Sequence, residues 1–327
     1  MSKRFENTRL IYIVLGLLVI LILTVTIKIP KAKGTLKNTI VEFDTSRVSK
    51  IILNNRIGSG NTVEFDRLGY KWTVQQGNVV SQAQDGAVQN LFAEVLYIKP
   101  QSLAAIDMSK WKEFNLTDSL ATRIRFLNSK GKILADVMIG KLDLKQAEKP
   151  YMGYSGNNIQ MISYVRLYNS KEVYAIDGLI PFSFNVKFDD WRNRTLIKVN
   201  KKDITDIHFI FPSDSSYDLI KKDSLWYAGD RETDSLNAEN YLNSLSLING
   251  DNFIDGFKPD SDPLYQITVK RIGFNDFSIK CYHGDTDDEF ILNSSFNPEA
   301  FFSCKRDEVF NQIFKTKNYF LKPAAKK

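Results

Sequence analysis

Few residues in this chain are of types that carry chemistry. There are two histidines, His208 and His283, and two cysteines, Cys281 and Cys304. Cys281 and His283 stand two apart in an alternating run, so on a strand they share a face and could seed a soft-metal site with Cys304 as a remote third ligand. A structural zinc site needs four ligands in closely spaced pairs, which this set lacks, and no metal is expected. His208, inside DIHFIF, reads as a packed or edge residue of a strand rather than a base. The acidic run GDTDDE, residues 284–289, lacks the alternating ligands, central glycine and terminal glutamate of a calcium loop and falls where a hairpin turn is expected. Asp189 and Asp190 are paired carboxylates in sequence, but neighbours on extended chain face opposite sides and cannot share acid-base work. No Walker loop, GxGxxG, GxSxG or HExxH occurs, and GSGN at 58–61 reads as a hairpin turn. No catalytic constellation and no cofactor are expected.

The elements that would position any site are short alternating runs separated by turns. VSKIIL, NTVEFD and YKWTVQ read as strands. Val88, Leu91, Phe92, Val95 and Leu96 form one apolar helical stripe, with Ser81 and Gln84 as a capping box a turn before it. A short helix near 108–114 follows, then strands ATRIRFLN, KILADVMIG, NIQMIS and YVRLY, and KEVYAI reads as a closing helix. The order recurs. ITDIHFIF follows VSKIIL at an offset of 156 residues, Trp226 follows Trp72 at 154, and Ala238, Tyr241, Leu242 and Leu245 repeat the helix stripe at 150. LYQITVK matches LATRIRF at about 144 and EVFNQI matches EVYAI at 136, a steady shrinkage expected of a duplication with shorter loops in its second copy. Cys281 and Cys304 fall on strands with one strand between them, about 9.6 Å apart and beyond the roughly 7 Å that a disulfide spans, so free buried thiols are expected.

The 18 uncharged residues between Arg9 and Lys28 cover roughly 27 Å as a helix, close to a hydrocarbon core of about 30 Å, and no small-x-small cleavage site follows them. The expected class is therefore α+β: an N-terminal transmembrane helix followed by two tandem, similar β-rich units, each with an amphipathic helix on an antiparallel sheet. The expected boundaries are a cytoplasmic tail over 1–9, the span over 10–28, a basic linker over 29–38, a first unit over 39–176, a connecting segment over 177–196, a second unit over 197–314 and a basic tail over 315–327. The formal charge of +6 sits at the ends: residues 1–37 hold seven basic groups against Glu6, and the chain from Lys305 onward holds seven against two acidic ones. A nucleic-acid footprint belongs on the folded body, so no nucleic-acid partner is expected. The expected partners are the lipid bilayer, through 10–28, and an envelope or membrane protein.

With its anchor, the tract SLATRIRF…VMIGK, the strand YVRLY followed by EVYAI, and DDWRNRTL, the chain resembles an uncharacterised bacterial family, a domain of unknown function. Its members carry an N-terminal membrane anchor and a duplicated β-rich extracytoplasmic domain. Related domains form the extracytoplasmic part of auxiliary subunits of gliding-motility-type ABC transport systems. The resemblance implies a single-pass protein of the bacterial cytoplasmic membrane with its main domain in the periplasm, and it brings no activity or site residue with it. The expected function is a non-enzymatic binding or scaffold role in an envelope complex, with Trp191, Arg192 and Arg194 of the connecting segment as the candidate interaction surface, since Trp and Arg anchor interfaces. The alternatives are an enzyme acting on envelope lipids or glycans through carboxylates gathered by the fold, and a small-ligand carrier between the two units.

Overall fold

The computed structural model describes residues 38–56, 62–146, 159–213 and 215–322. The first nine strands are β1 (Lys50–Asn54), β2 (Thr62–Leu68), β3 (Lys71–Gln76), β4 (Val79–Gln82), β5 (Pro100–Ala105), β6 (Thr122–Leu127), β7 (Ile133–Gln146), β8 (Ile159–Leu167) and β9 (Val173–Asp177), with helix α1 (Ala87–Leu96) between β4 and β5. They pair antiparallel in the order β4-β3-β2-β1-β6-β7-β8-β9-β5. Alternation makes these strands: β1 buries Ile51 and Leu53 and turns its other residues outward, and the same period runs along β2 and β6. Helix α1 lays Val88, Leu91 and Val95 on the face so formed, against Phe65, Phe126 and Val137.

After α2 (Ile180–Phe184) and β10 (Thr195–Lys198), a second set follows: β11 (Ile204–Ile210), β12 (Tyr217–Lys222), β13 (Leu225–Ala228), β14 (Arg231–Glu232), α3 (Ser235–Leu245), β15 (Leu247–Asn249), β16 (Asn252–Phe253), β17 (Tyr265–Arg271), β18 (Phe277–His283), β19 (Glu289–Ser294) and β20 (Asn297–Lys305). Its sheet order is β14-β13-β12-β11-β17-β18-β19-β20-β16, and β10 pairs with β15 beside it. Strand for strand this is the order of the first sheet. The registers agree too, since Trp72 stands opposite Arg67 and Trp226 opposite Lys221. Helix α3 buries Ala238, Tyr241, Leu242 and Leu245, and the Tyr241 hydroxyl, deep in the core, donates to Ile313 O at 2.9 Å.

The α+β class is overturned. Strands take 46% of the described residues and helices 19%, and the protein is mostly β, built on two large antiparallel sheets. Part of the difference lies in KEVYAI, expected as a helix and found as β9. Tyr174 and Ile176 join the core under α1, while Val173 and Ala175 join a second cluster on the opposite face with Phe114, Leu116 and Tyr164. A strand buried on both faces has no polar side, and its unbroken apolar run resembles a short buried helix. The expected twin, EVFNQI, is helical: a wide turn over Arg306–Phe310 leads into Asn311–Ile313. By register the partner of β9 is β20, since β9 and β20 occupy the same place in their sheets. The transmembrane helix expected over 10–28 lies outside the described residues. No helix among the described residues is long and apolar enough to cross a membrane, so that element has no structural support. The hairpin expected at 58–61 also lies outside them.

The second face of the first sheet is covered by residues 106–121. Gly140 of β7 lets that cover approach, because a Cβ there would stand 2.1 Å from Phe114 O and 2.9 Å from Leu116 Cγ. Beneath the cover Arg166 is buried. It donates through Nε to Leu116 O at 3.0 Å and through Nη1 to Tyr168 O at 2.7 Å, and its guanidinium lies 3.6 Å from the Trp111 ring. Burial lowers its pKa, yet the carbonyls and the ring satisfy the charge.

Candidate functional site

The residues singled out in the connecting segment lie in a strap that closes the first sheet and reaches the second. Pro181 near the start of α2 fixes the turn of chain, and Ile180 and Phe184, one helical turn apart, are both buried. A 3-10 turn over Phe188–Trp191 then delivers Trp191 into the first core, edge-on to Phe65 at 5.4 Å. Trp191 O accepts from Gln84 N at 2.8 Å, Arg192 bridges to Ala83, and Asn193 N donates to Gln82 O at 2.8 Å, so the strap runs alongside the end of β4.

Arg192 is 3% exposed and sits where the two sheets meet. Its Nε donates to Ser81 Oγ at 2.9 Å in the first sheet and its Nη1 to Asp189 at 2.9 Å within the strap. Nη1 and Nη2 both reach the carboxylate of Asp255, at 3.2 and 2.5 Å, and the guanidinium stacks 3.6 Å from the Phe253 ring of β16. Ser81 is thus taken by Arg192 instead of capping α1, whose N-cap is Gly86 with φ of +82° and no side-chain bond. Arg194 is partly exposed. It pairs with Asp190 at 3.2 Å, donates its backbone N–H to Gln84 Oε1 at 3.1 Å, and accepts at its carbonyl from Gly250 N at 2.8 Å. Asn297 Nδ2 donates to Asn193 O at 2.7 Å from the second sheet. Arg192 is therefore the clasp between the sheets, Trp191 anchors the strap in the first core, and of the three residues only Arg194 presents much surface to solvent. Asp255 and Phe253 complete the clasp from 61 to 63 positions along the chain, and no spacing signal in the sequence pointed to them.

The other chemical candidates stay apart. Asp189 and Asp190 each pair with an arginine of the strap. His208 lies on an exposed face of β11 and shares a hydrogen bond with Asp218, its cross-strand neighbour on β12. Cys281 and Cys304 are free and buried in the second core, where burial pushes the Cys304 thiol up to about 11 and raises that of Cys281 further. His283, two residues on from Cys281, is exposed at the end of β18, so the pair does not converge. The run 284–289 is the turn between β18 and β19, closed by Gly284 N to Glu289 O at 2.9 Å. Among the described residues no group of three or more His, Cys, Asp or Glu could hold a metal ion.

Between α1 and the strap lies a groove of about 400 Å³ lined by Gln84, Asp85, Leu91, Glu94, Ser183 and Trp191. It adjoins a hollow of about 350 Å³ reached past Tyr97 and Leu179, with Glu94 and Ser183 common to both. Tyr97, Leu179 and Phe182 are large apolar side chains left exposed here. The Trp191 Nε1–H is buried without a partner. In the second sheet the corresponding place is held by Phe320, whose carbonyl accepts from Asp234 N at 2.7 Å as that of Trp191 does from Gln84 N, and Leu321 bridges to Thr233 as Arg192 does to Ala83.

These features define a mostly β protein of two antiparallel sheets of matching order, joined by an arginine-centred clasp and grooved beside its first helix. The family model described as domain of unknown function (DUF4340) matches residues 72–268, from β3 of the first sheet to β17 of the second, and the chain belongs to that family. No curated protein and no solved structure matches it.

Proposed function

We propose that the protein is a non-enzymatic binding or scaffold component of a bacterial envelope complex, held at the cytoplasmic membrane with its sheets on the outer side and accessory to an ABC-type transport system. The observation that carries the binding role is the grooved face beside α1, where the exposed Tyr97 and Leu179 line a hollow with Glu94, Asp177 and Ser183, and Phe182 is exposed on the adjoining helix α2. Exposed apolar groups gathered at a concave site are how a surface recognises another protein. The charged groups of the strap are held in ion pairs within the strap and, through Arg192 and Asp255, across the sheets, which favours a structural role for them over acid-base work. The uncharged run between Arg9 and Lys28 supports the membrane location, and the resemblance to auxiliary subunits supports the transport setting.

The test is site-specific photo-cross-linking in intact cells from position 97 or 182 of the full-length chain. The expected result is a discrete adduct with an envelope protein, a transporter component if the setting is right, that disappears in a Leu179→Asp variant. Failure of both positions to give any adduct, while the protein fractionates normally, overturns the reading.

A further inference from the structure

Among the described residues, the clasp has an unfilled counterpart at each end of the molecule. In the second sheet, Phe253 pairs with Phe302 and is covered by Arg192 of the first strap; in the first sheet, Leu103 of β5 pairs with Tyr174 at the corresponding place. Leu103 is 47% exposed, and the chain beyond it leaves Ile106 and Met108 more exposed still. At the other end, Leu321, partly buried against the second core, holds the position in the second strap that Arg192 holds in the first. Among the described residues, one end therefore presents the strap without a sheet to receive it, and the other presents the receiving edge without a strap.

The residues at both ends differ from the inner joint in the same sense. Where the inner joint has Arg192 against Phe253 and Asp255, the outer positions have Leu321 against Leu103 and Ala105. Were only one member of the charged pair apolar, docking would bury a lone charge, which is unfavourable. With both apolar, the same approach buries leucine against leucine and leaves no charge unpaired.

We propose that the β5 edge of the first sheet receives the strap around Leu321 of a second copy of this chain, so that copies join head to tail in the way the two sheets are joined within one chain. A second copy is the occupant because the strap-on-edge contact is one this sequence already makes internally and both of its halves are present on every molecule. Such a contact is heterologous, so it propagates into rows or closes into rings. It is separate from the grooved face beside α1, and neither reading needs the other.

The experiment uses the full-length chain with Leu103→Cys and Leu321→Cys, made singly and together. Both native thiols are buried, so under mild oxidation the introduced ones report. Mixing the single variants should give a 103–321 disulfide dimer, mapped by mass spectrometry, in excess over 103–103 and 321–321 pairs, and the double variant should give a ladder of higher oligomers. Ala105→Asp alone should lower the yield about tenfold by placing an unpaired charge in the contact. Adding Leu321→Arg to Ala105→Asp should restore self-association measured by sedimentation, by rebuilding the inner ion pair at the outer joint. Same-site pairs in excess, adducts only with other proteins, or a monomer at every concentration would overturn the proposal.

Discussion

Replacing Arg192 with methionine keeps most of the stem and removes the charge that joins the two sheets. The guanidinium is almost fully enclosed, whereas Asp189 and Asp255 keep 48% and 46% of their side-chain surface in water. Breaking a pair between two buried ions costs about 3–5 kcal/mol, because the survivor is left without a partner or solvent. Here both surviving carboxylates rehydrate, which places the electrostatic loss at the low end, and stacking on Phe253 adds about 1 kcal/mol or somewhat more for a desolvated cation-π contact. The expected total is about 2–4 kcal/mol. Asp255→Asn, which leaves Arg192 its contacts with Ser81, Asp189 and Phe253, should cost about 1 kcal/mol. The control is Lys198→Ala. Its pair with Asp85 also spans the sheets but is more than 60% exposed on both sides, so the change should stay within about 0.5 kcal/mol. Guanidinium unfolding of the full-length protein, followed by tryptophan fluorescence and by circular dichroism, measures all three. Arg192→Met should also separate a single transition into two, since the sheets lose the ion pair that joins them. If Arg192→Met falls within about 0.5 kcal/mol of Lys198→Ala and the transition stays single, the clasp is not what couples the sheets.

Three further outcomes are expected. Gly140→Ala should lower stability by about 2 kcal/mol or more in thermal melts, because its Cβ meets backbone at 2.1 Å and the cover over the second face has to lift. Trp191→Phe should stay within about 1 kcal/mol of wild type, since the lost ring area is offset by removing a buried N–H with no acceptor, and Phe320 already fills the matching place in the second sheet. Cys281 and Cys304 should resist thiol reagents at pH 8 in the native protein and react once it is denatured. Because burial holds the Cys304 pKa above its ordinary 9.0, the stability from keeping it neutral is complete below pH 9, and it drains away as the pH rises through about 11, which an alkaline unfolding series would show.

Much of the architecture was legible because period and offset carry it. Ile51 and Leu53 alternate as Ile207 and Phe209 do, and the stripes of α1 and α3 match position by position. The error at KEVYAI arose where this signal fails, on a strand wedged between two neighbours and covered on both faces. The candidate surface at 191–194 drew notice for the right residue types, but a single sequence does not say whether Trp and Arg face water or a second sheet. Trp191 is buried against Phe65 of the first core, and the burial of Arg192 depends on Phe253 and Asp255, which reach it only through the folded topology. The groove was not legible for a similar reason: Tyr97 and Leu179 look like ordinary apolar residues until the chain brings them to one hollow and leaves them exposed.

The strap also decides where the molecule can be divided. Phe184 and Trp191 cover Phe65 and Leu91 from beyond the end of β9, so a fragment stopped at Asp177 would expose the underside of α1 and be expected to aggregate. A minimal expressible portion of the first half has to run past Arg192. Any chimaera that exchanges halves between relatives must carry each strap with the sheet that precedes it, or it will pair a borrowed lid with a core it was not shaped to close.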